Sequence, residues 1–223
     1  MLTEIFLDAA LIGAEWVLWL LVILSILSVV AMVERILFYG KRNIDLQAVR
    51  LKLEELLGKD DYDGAAKFLE ESGDSMESRV VLFGLRDWRS GVASVEDRMS
   101  GALATEKGRY NKQLPFLGTI GNNAPFIGLF GTVLGIIGAF DSLQSGSEEA
   151  AQAVMGAISE ALVATGVGLL VAIPAVIAFN IFRSRIQKSV AQTDLLGRTL
   201  LAHMHREDGA DGKAAKRTDG SAE

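Results

Sequence analysis

Apolar residues gather into three blocks along this chain, at 16–38, 116–140 and 154–182, and polar and charged residues fill the segments between them. Each block is long enough to cross a bilayer, which takes roughly 20 apolar residues at about 1.5 Å rise each. Backbone groups in hydrocarbon find no water, so each block is predicted to be a helix that closes its own hydrogen bonds. The first span is set at 16–39, with Trp16 and Trp19 at one end and Tyr39 at the other as interfacial anchors. The other two, at 115–141 and 153–182, lie back to back across a short acidic turn, SLQSGSEEAAQ, at 142–152.

The period changes at 40–114. Leu46, Val49, Leu53, Leu56 and Leu57 form one helical stripe, and Asp60 and Asp61 can cap a second helix holding Ala65, Ala66, Phe68 and Leu69. A third carries Val80, Val81, Phe83, Leu85 and Trp88, with Gly58, Gly73 and Gly91 as punctuation. Ser94 followed by Asp97 reads as a variant capping box that opens a fourth helix. No proline interrupts it before Pro115, so it is expected to run straight into the second span. At the amino end, Ile5, Ala9, Ile12 and Trp16 recur at helical spacing and predict a short interfacial helix over 1–15. Past the third span a helix is expected over 183–205, and the charged tail 206–223 is expected to be disordered.

Half of the 223 residues are apolar, and their segregation marks a small polytopic membrane protein rather than one globular domain. The absence of cysteine excludes disulfides and thiolate metal sites. No Gly-rich phosphate loop and no HExxH pattern occurs, and His203 and His205 make no complete metal set. No enzyme activity, cofactor or nucleic-acid partner is expected. The net charge of −6 matters less than its sorting. Lys and Arg follow the first and third spans, whereas residues 1–15 and the turn 142–152 hold none. The positive-inside rule then places the N-terminus outside and both 40–114 and the C-terminus in the cytoplasm. Residues 1–15 also lack the basic start and the cleavage site of a secretory signal peptide.

Few side chains in the spans can carry chemistry. Glu160 stands about eight residues inside the third span, where a carboxylate costs about 2.5–3.5 kcal/mol to insert and so usually faces protein or water. Its bland reading is a solvated group near the outer membrane edge. Thr132 and Thr165 lie deep in the second and third spans, and such a threonine often bonds its own helix and is inert. Their setting raises them. Gly128, Gly131, Gly135 and Gly138 leave one flank of the second span nearly bare, and Ala157, Ala161, Thr165, Gly168 and Ala172 make a matching stripe on the third. Small residues allow close helix packing and also leave room for water beside a hydroxyl. Glu160 and Thr165 are about 140° apart around a helix and need not face one partner. Pro174 frees the Leu170 carbonyl and predicts a kink, and Asn122, Asn123 and Pro125 predict another near the start of the second span. Glu34 and Arg35 either mark the membrane edge, where long side chains snorkel, or Glu34 makes a salt bridge there to a basic residue on a neighbouring helix.

APFIGLFGTVLGII at 124–137 and SEALVATGVGLLVAIPAVIAFNIF at 159–182 closely resemble the MotA/TolQ/ExbB proton-channel family, in its ExbB and TolQ branch. VER at 33–35 fits the end of that family's first span, Ser159 departs from its commoner AEAL, and residues 40–112 match only in helical character. The resemblance implies an all-α protein of the bacterial inner membrane, with three transmembrane helices and long cytoplasmic helical extensions. It implies a homo-oligomeric, pentameric ring around a dimer of single-span ExbD- or TolR-like subunits. Proton flow at that interface would drive mechanical work on a TonB- or TolA-like protein. The family's pore threonines map onto Thr132 and Thr165, and its membrane glutamate onto Glu160. No Asp or Lys lies in mid-membrane in the second or third span, so this chain would supply walls and a partner the main proton carrier. A self-contained channel or transporter using Glu160, a gliding-motor stator of the same family, and a purely structural scaffold are the competing readings.

Overall fold

The computed structural model describes residues 15–42, 44–142 and 148–219, and every helix and strand assignment among them is helical. The helices are α1 Glu15–Gly40, α2 Leu46–Leu57, α3 Tyr62–Glu71, α4 Met76–Leu85, α5 Val92–Asn111, α6 Leu114–Ser142 and α7 Glu148–Asp219, with one 3₁₀ turn at Trp88–Ser90. The interfacial helix expected over 1–15 and the middle of the turn at 142–152 lie outside the described residues, apart from Glu15, which opens α1. Helix α7 passes through 183–205 and on to Asp219, so the backbone is helical through most of the charged segment that composition leaves without structure.

The chain divides into two units. One takes residues up to Ile36 and Gln113–Phe182, and the other takes Leu37–Lys112 and the chain from Arg183 onward. The first is the membrane unit. Glu15–Gly40, Leu114–Phe140 and the part of α7 that begins at Val154 are each long and apolar enough to span a bilayer. Val17 and Leu21 of α1, Ile120, Ala124 and Leu134 of α6, and Val171, Ala172 and Ala175 of α7 form its core. Trp16 adds an edge-to-face contact with Phe130, centroids 6.2 Å apart. Trp19, Ile26, Val30, Phe126, Phe140 and Leu170 point outward, which suits a hydrocarbon surround. Pro125 and Pro174 lie inside continuous helices. Beside Pro125, Asn123 Nδ2 donates to the Thr119 carbonyl at 2.8 Å, and the Thr119 hydroxyl donates to that of Pro115 at 2.8 Å. These bonds lie in the two turns before the Gly121 carbonyl, the one that Pro125 leaves without its helical donor.

The second unit is a set of short capped helices. Asp45, Asp61 and Ser75 each accept backbone N–H groups at the starts of α2, α3 and α4, which satisfies donors the helix itself cannot. Val49, Leu53 and Leu57 are buried on α2, and Tyr62, Ala65 and Leu69 on α3. Gly84 of α4 lets α5 come close: a methyl group there would lie 2.7 Å from Met99 Cγ. The start of α5 departs from expectation. It begins at Val92 after Gly91 at φ 89°, not at Ser94, because Val92, Val95 and Met99 are the residues that must face inward. Its end departs too. It stops at Asn111, Lys112 is extended, Gln113 adopts φ 70°, and α6 starts afresh at Leu114. Pro115 sits in the first turn of α6, where a missing N–H is harmless.

Asp74 gathers three arginines. It accepts from Arg42 at 2.7 Å, Arg79 at 2.8 Å and Arg109 at 2.9 Å, and Arg79 and Arg109 also reach Glu106. Nearby, the Tyr39 hydroxyl donates to the Tyr110 carbonyl at 2.8 Å, and Arg42 lies over the Phe38 ring at 3.8 Å. Burial pushes the Asp74 carboxyl up, but the hydrogen bonds from Arg109, Arg79 and Arg42 outweigh it and hold the group at about 2. A depressed carboxylate stabilises the fold above its unfolded value and loses that effect as pH falls toward its folded one. Asp74→Asn should therefore lower stability by about 1 kcal/mol at neutral pH, discounted for its half-exposed side chain. Denaturation in detergent should show the difference fading as pH drops from 3.8 toward about 2. A difference unchanged by pH would dissociate Asp74 from the arginines.

Candidate functional site

The glycines of α6 lie against the alanines of α7 in the membrane unit. A methyl group on Gly128 would fall 2.6 Å from the Ala164 carbonyl oxygen, and one on Gly168 would fall 2.6 Å from that of Ala124. Gly135 would meet the Ala161 methyl at 2.6 Å, and Gly131 would meet that of Ala164 at 2.9 Å and Val17 of α1 at 3.1 Å. The Ala157 carbonyl lies 3.5 Å from the same Gly135 position. The two helices are therefore in backbone contact along the seam that the small residues predict. They run antiparallel, since 121 meets 176, 128 meets 164–168 and 135 meets 157–161. Gly138 is half-buried near the end of α6, and Pro174 is exposed on α7.

The two threonines differ. Thr132 is 7% exposed, and its hydroxyl donates to the Leu129 carbonyl at 2.6 Å, the ordinary self-bond of a threonine in a membrane helix. Thr165 is half-buried beside Gly128, whose missing methyl would lie 3.0 Å from the Thr165 Cα. Its hydroxyl oxygen is buried and has no hydrogen-bond partner. A threonine hydroxyl carries one hydrogen and two lone pairs, and most buried ones are bonded. Thr165 thus holds a free donor on the seam, whereas the Thr132 donor is committed and only its lone pairs remain.

Glu160 does not join them. It is exposed on α7, and Ala161 and Ala164, packed into the seam, occupy the helix face between it and Thr165. At the far end of α1, Arg35 is 1% exposed and forms a bidentate pair with its own neighbour Glu34, whose side chain is half-exposed. Among the described residues no group of His, Cys, Asp and Glu could hold a metal. Ala124 and Val17 complete the seam and were not singled out by spacing alone. Ala124 lies one turn before Gly128 in the same glycine register, which is the signal that would have found it, while Val17 comes from a different helix and leaves no such trace.

A model of the MotA/TolQ/ExbB proton channel family matches residues 72–194. That range takes in α5, α6, Thr132, Glu160 and Thr165. The Tol-Pal system protein TolQ of Pseudomonas aeruginosa is 38% identical over 116 residues, which is 52% of this chain and 50% of that relative. The match therefore spans about half the length of the curated relative.

Proposed function

The chain belongs to the MotA/TolQ/ExbB proton channel family, and from that premise we propose that it is a TolQ- or ExbB-like stator subunit that walls a proton pathway without carrying the main titrating group. The buried, unpartnered hydroxyl of Thr165 on the glycine seam is the observation that carries this reading. A hydroxyl does not titrate near neutral pH, but it can donate to a carboxylate or to the water around one. Residues 115–140 contain no ionisable side chain, and 153–182 contain only Glu160, which stands on the opposite flank of the seam from Thr165. A carboxylate delivered by another polypeptide completes the relay.

The rest of the reading follows the family. The chain sits in the bacterial inner membrane with its N-terminus in the periplasm and its second unit and C-terminus in the cytoplasm. Copies form a ring, a pentamer by family pattern, around a dimer of single-span TolR- or ExbD-like subunits. Thr132 and Thr165 line its interior, and Glu160, exposed on one chain, is covered by assembly. Protons are the coupling ion, and the work passes to a TolA- or TonB-like protein.

Proteoliposomes test this. The chain alone should give no proton flux above protein-free vesicles, and flux should appear when the single-span partner is co-reconstituted. Flux from the chain alone, abolished by Glu160→Gln, would establish the self-contained channel instead.

A further inference from the structure

One face of α6 is polar at a depth where lipid would meet it. Thr119, Asn122 and Asn123 are exposed in the opening turns of the span, and the same face continues as Phe126, Leu129, Val133 and Phe140, which are exposed and apolar. The Thr119 hydroxyl and the Asn123 Nδ2 donate to carbonyls of their own helix, those of Pro115 and Thr119, at 2.8 Å each. The Asn122 carboxamide has no partner among the described residues. It therefore offers two donors and an acceptor, and Asn123 keeps its oxygen and one N–H. Two rulers give the depth. Gly121, next to Asn122, faces Val176 across the seam, and Arg183, the nearest cation past the third span, lies about 10 Å of helix rise beyond Val176. On the α6 side, Lys112 lies about 15 Å before Asn122. The headgroup layer takes only about 5–8 Å on each side of the bilayer. Both rulers put Asn122 at hydrocarbon depth. Two helix carbonyls add acceptors to this band, that of Gly121, freed by Pro125, and that of Leu170, freed by the exposed Pro174.

We propose that Asn122 and Asn123 wall a wet vestibule that opens at the Lys112 end of the second span. An unpartnered carboxamide in hydrocarbon forfeits its hydration and gains nothing for it, so lipid is the least favourable surround. Continuity favours water over a companion helix. From Lys112 through Pro115 and Thr119 to Asn122 the exposed face carries no large apolar side chain, and the run ends at Phe126, 68% exposed. The stripe thus meets bulk water at its shallow end, a course that a polar contact between helices does not require. Asn180 and Arg183 are exposed on α7 toward the same end. Gly128, which faces Thr165, lies about 9 Å deeper than Asn122. The vestibule therefore brings water to within a few molecules of the unpaired hydroxyl level, and in the orientation proposed above it is the cytoplasmic mouth of the pathway. Its use by protons rests on the proposed function, whereas the presence of water rests on α6 alone.

The chain has no cysteine, so single cysteine variants report on water directly. A charged, membrane-impermeant methanethiosulfonate attacks only thiolate, and thiolate forms only where water reaches. Full-length Asn122→Cys and Asn123→Cys in sealed bacterial membrane vesicles should react from the Lys112 side at rates within about tenfold of Lys112→Cys. Val133→Cys, exposed on the same face but deeper, should react more than about a hundredfold slower. Reaction of Asn122→Cys as slow as that of Val133→Cys would overturn the vestibule and place lipid or another helix against the stripe. Flux addresses the protons. In proteoliposomes with the proposed single-span partner, Asn122→Leu should lower proton flux about tenfold, and Asn122→Ser should keep most of it. Parent-level flux in Asn122→Leu would remove the vestibule from the proton route. A parent complex that conducts nothing while Asn122→Cys still reacts would sink the proposed function and leave the wet vestibule in place.

Discussion

A Thr165→Val chain, assembled with the proposed single-span partner in proteoliposomes, is expected to lose proton flux by roughly tenfold to a hundredfold, the range that corresponds to one lost hydrogen bond at a charged group. Valine keeps the β-branched shape, so the seam beside Gly128 stays packed and the complex still assembles. What disappears is a single donor, and it is the one the fold leaves unpaired. Thr165→Ser keeps that donor and should retain most of the flux. Thr132→Val should also impair flux, but less, because the Thr132 hydrogen already serves the Leu129 carbonyl. Parent-level flux in an assembled Thr165→Val complex would remove the basis for the proton-pathway reading. Failure to assemble would instead assign Thr165 to packing, and size-exclusion chromatography separates the two outcomes.

Gly128→Ala and Gly168→Ala are expected to destabilise the membrane unit by about 1–3 kcal/mol each, the usual effect of overpacking. Each added methyl would sit 2.6 Å from a backbone carbonyl oxygen of the facing helix, and backbone cannot swing aside as a side chain can. Gly166→Ala is the control. No atom lies within 4 Å of its added methyl, and alanine is the better helix former, so it should be neutral or slightly stabilising. Thermal unfolding in detergent ranks the three. Equal effects at Gly166 and Gly128 would trace the loss to general glycine chemistry rather than to close approach. Wild-type stability at Gly128 and Gly168 would show that the helices are farther apart than the seam requires.

The parts of this protein legible in its residues are those fixed by local physics. Hydrocarbon admits only helices that bond themselves, so three apolar runs read directly as spans. Glycine and alanine at three- and four-residue spacing read as a face for close packing, because only their small size permits it. The caps Asp61 and Ser75 show what local sequence can and cannot do. Asp61 stands just before an apolar stripe and announces α3, while Ser75 caps α4 and also donates to the Ser78 hydroxyl, a second bond that residue type alone does not announce. The misplaced start of α5 has the same origin. Ser94 and Asp97 form a plausible capping pair, but the inward register of Val92, Val95 and Met99 and the left-handed backbone of Gly91 set the boundary earlier. The continuous helix expected across 112–115 fails for a backbone reason, the positive φ of Gln113, which no residue type demands.

The amino-acid order by itself determined the helical class, the three spans, the paired small-residue faces and the lack of a mid-membrane carrier, since each depends on the size, polarity or period of residues within a few turns. The tertiary structure alone decided which hydroxyl keeps a free donor, that Ala161 and Ala164 between Glu160 and Thr165 form the packed face, and that Asp74 collects arginines from 32 and 35 residues away. Those outcomes depend on which atoms are brought together across the chain and on how much water is excluded around them, and neither quantity is written in any local stretch of residues.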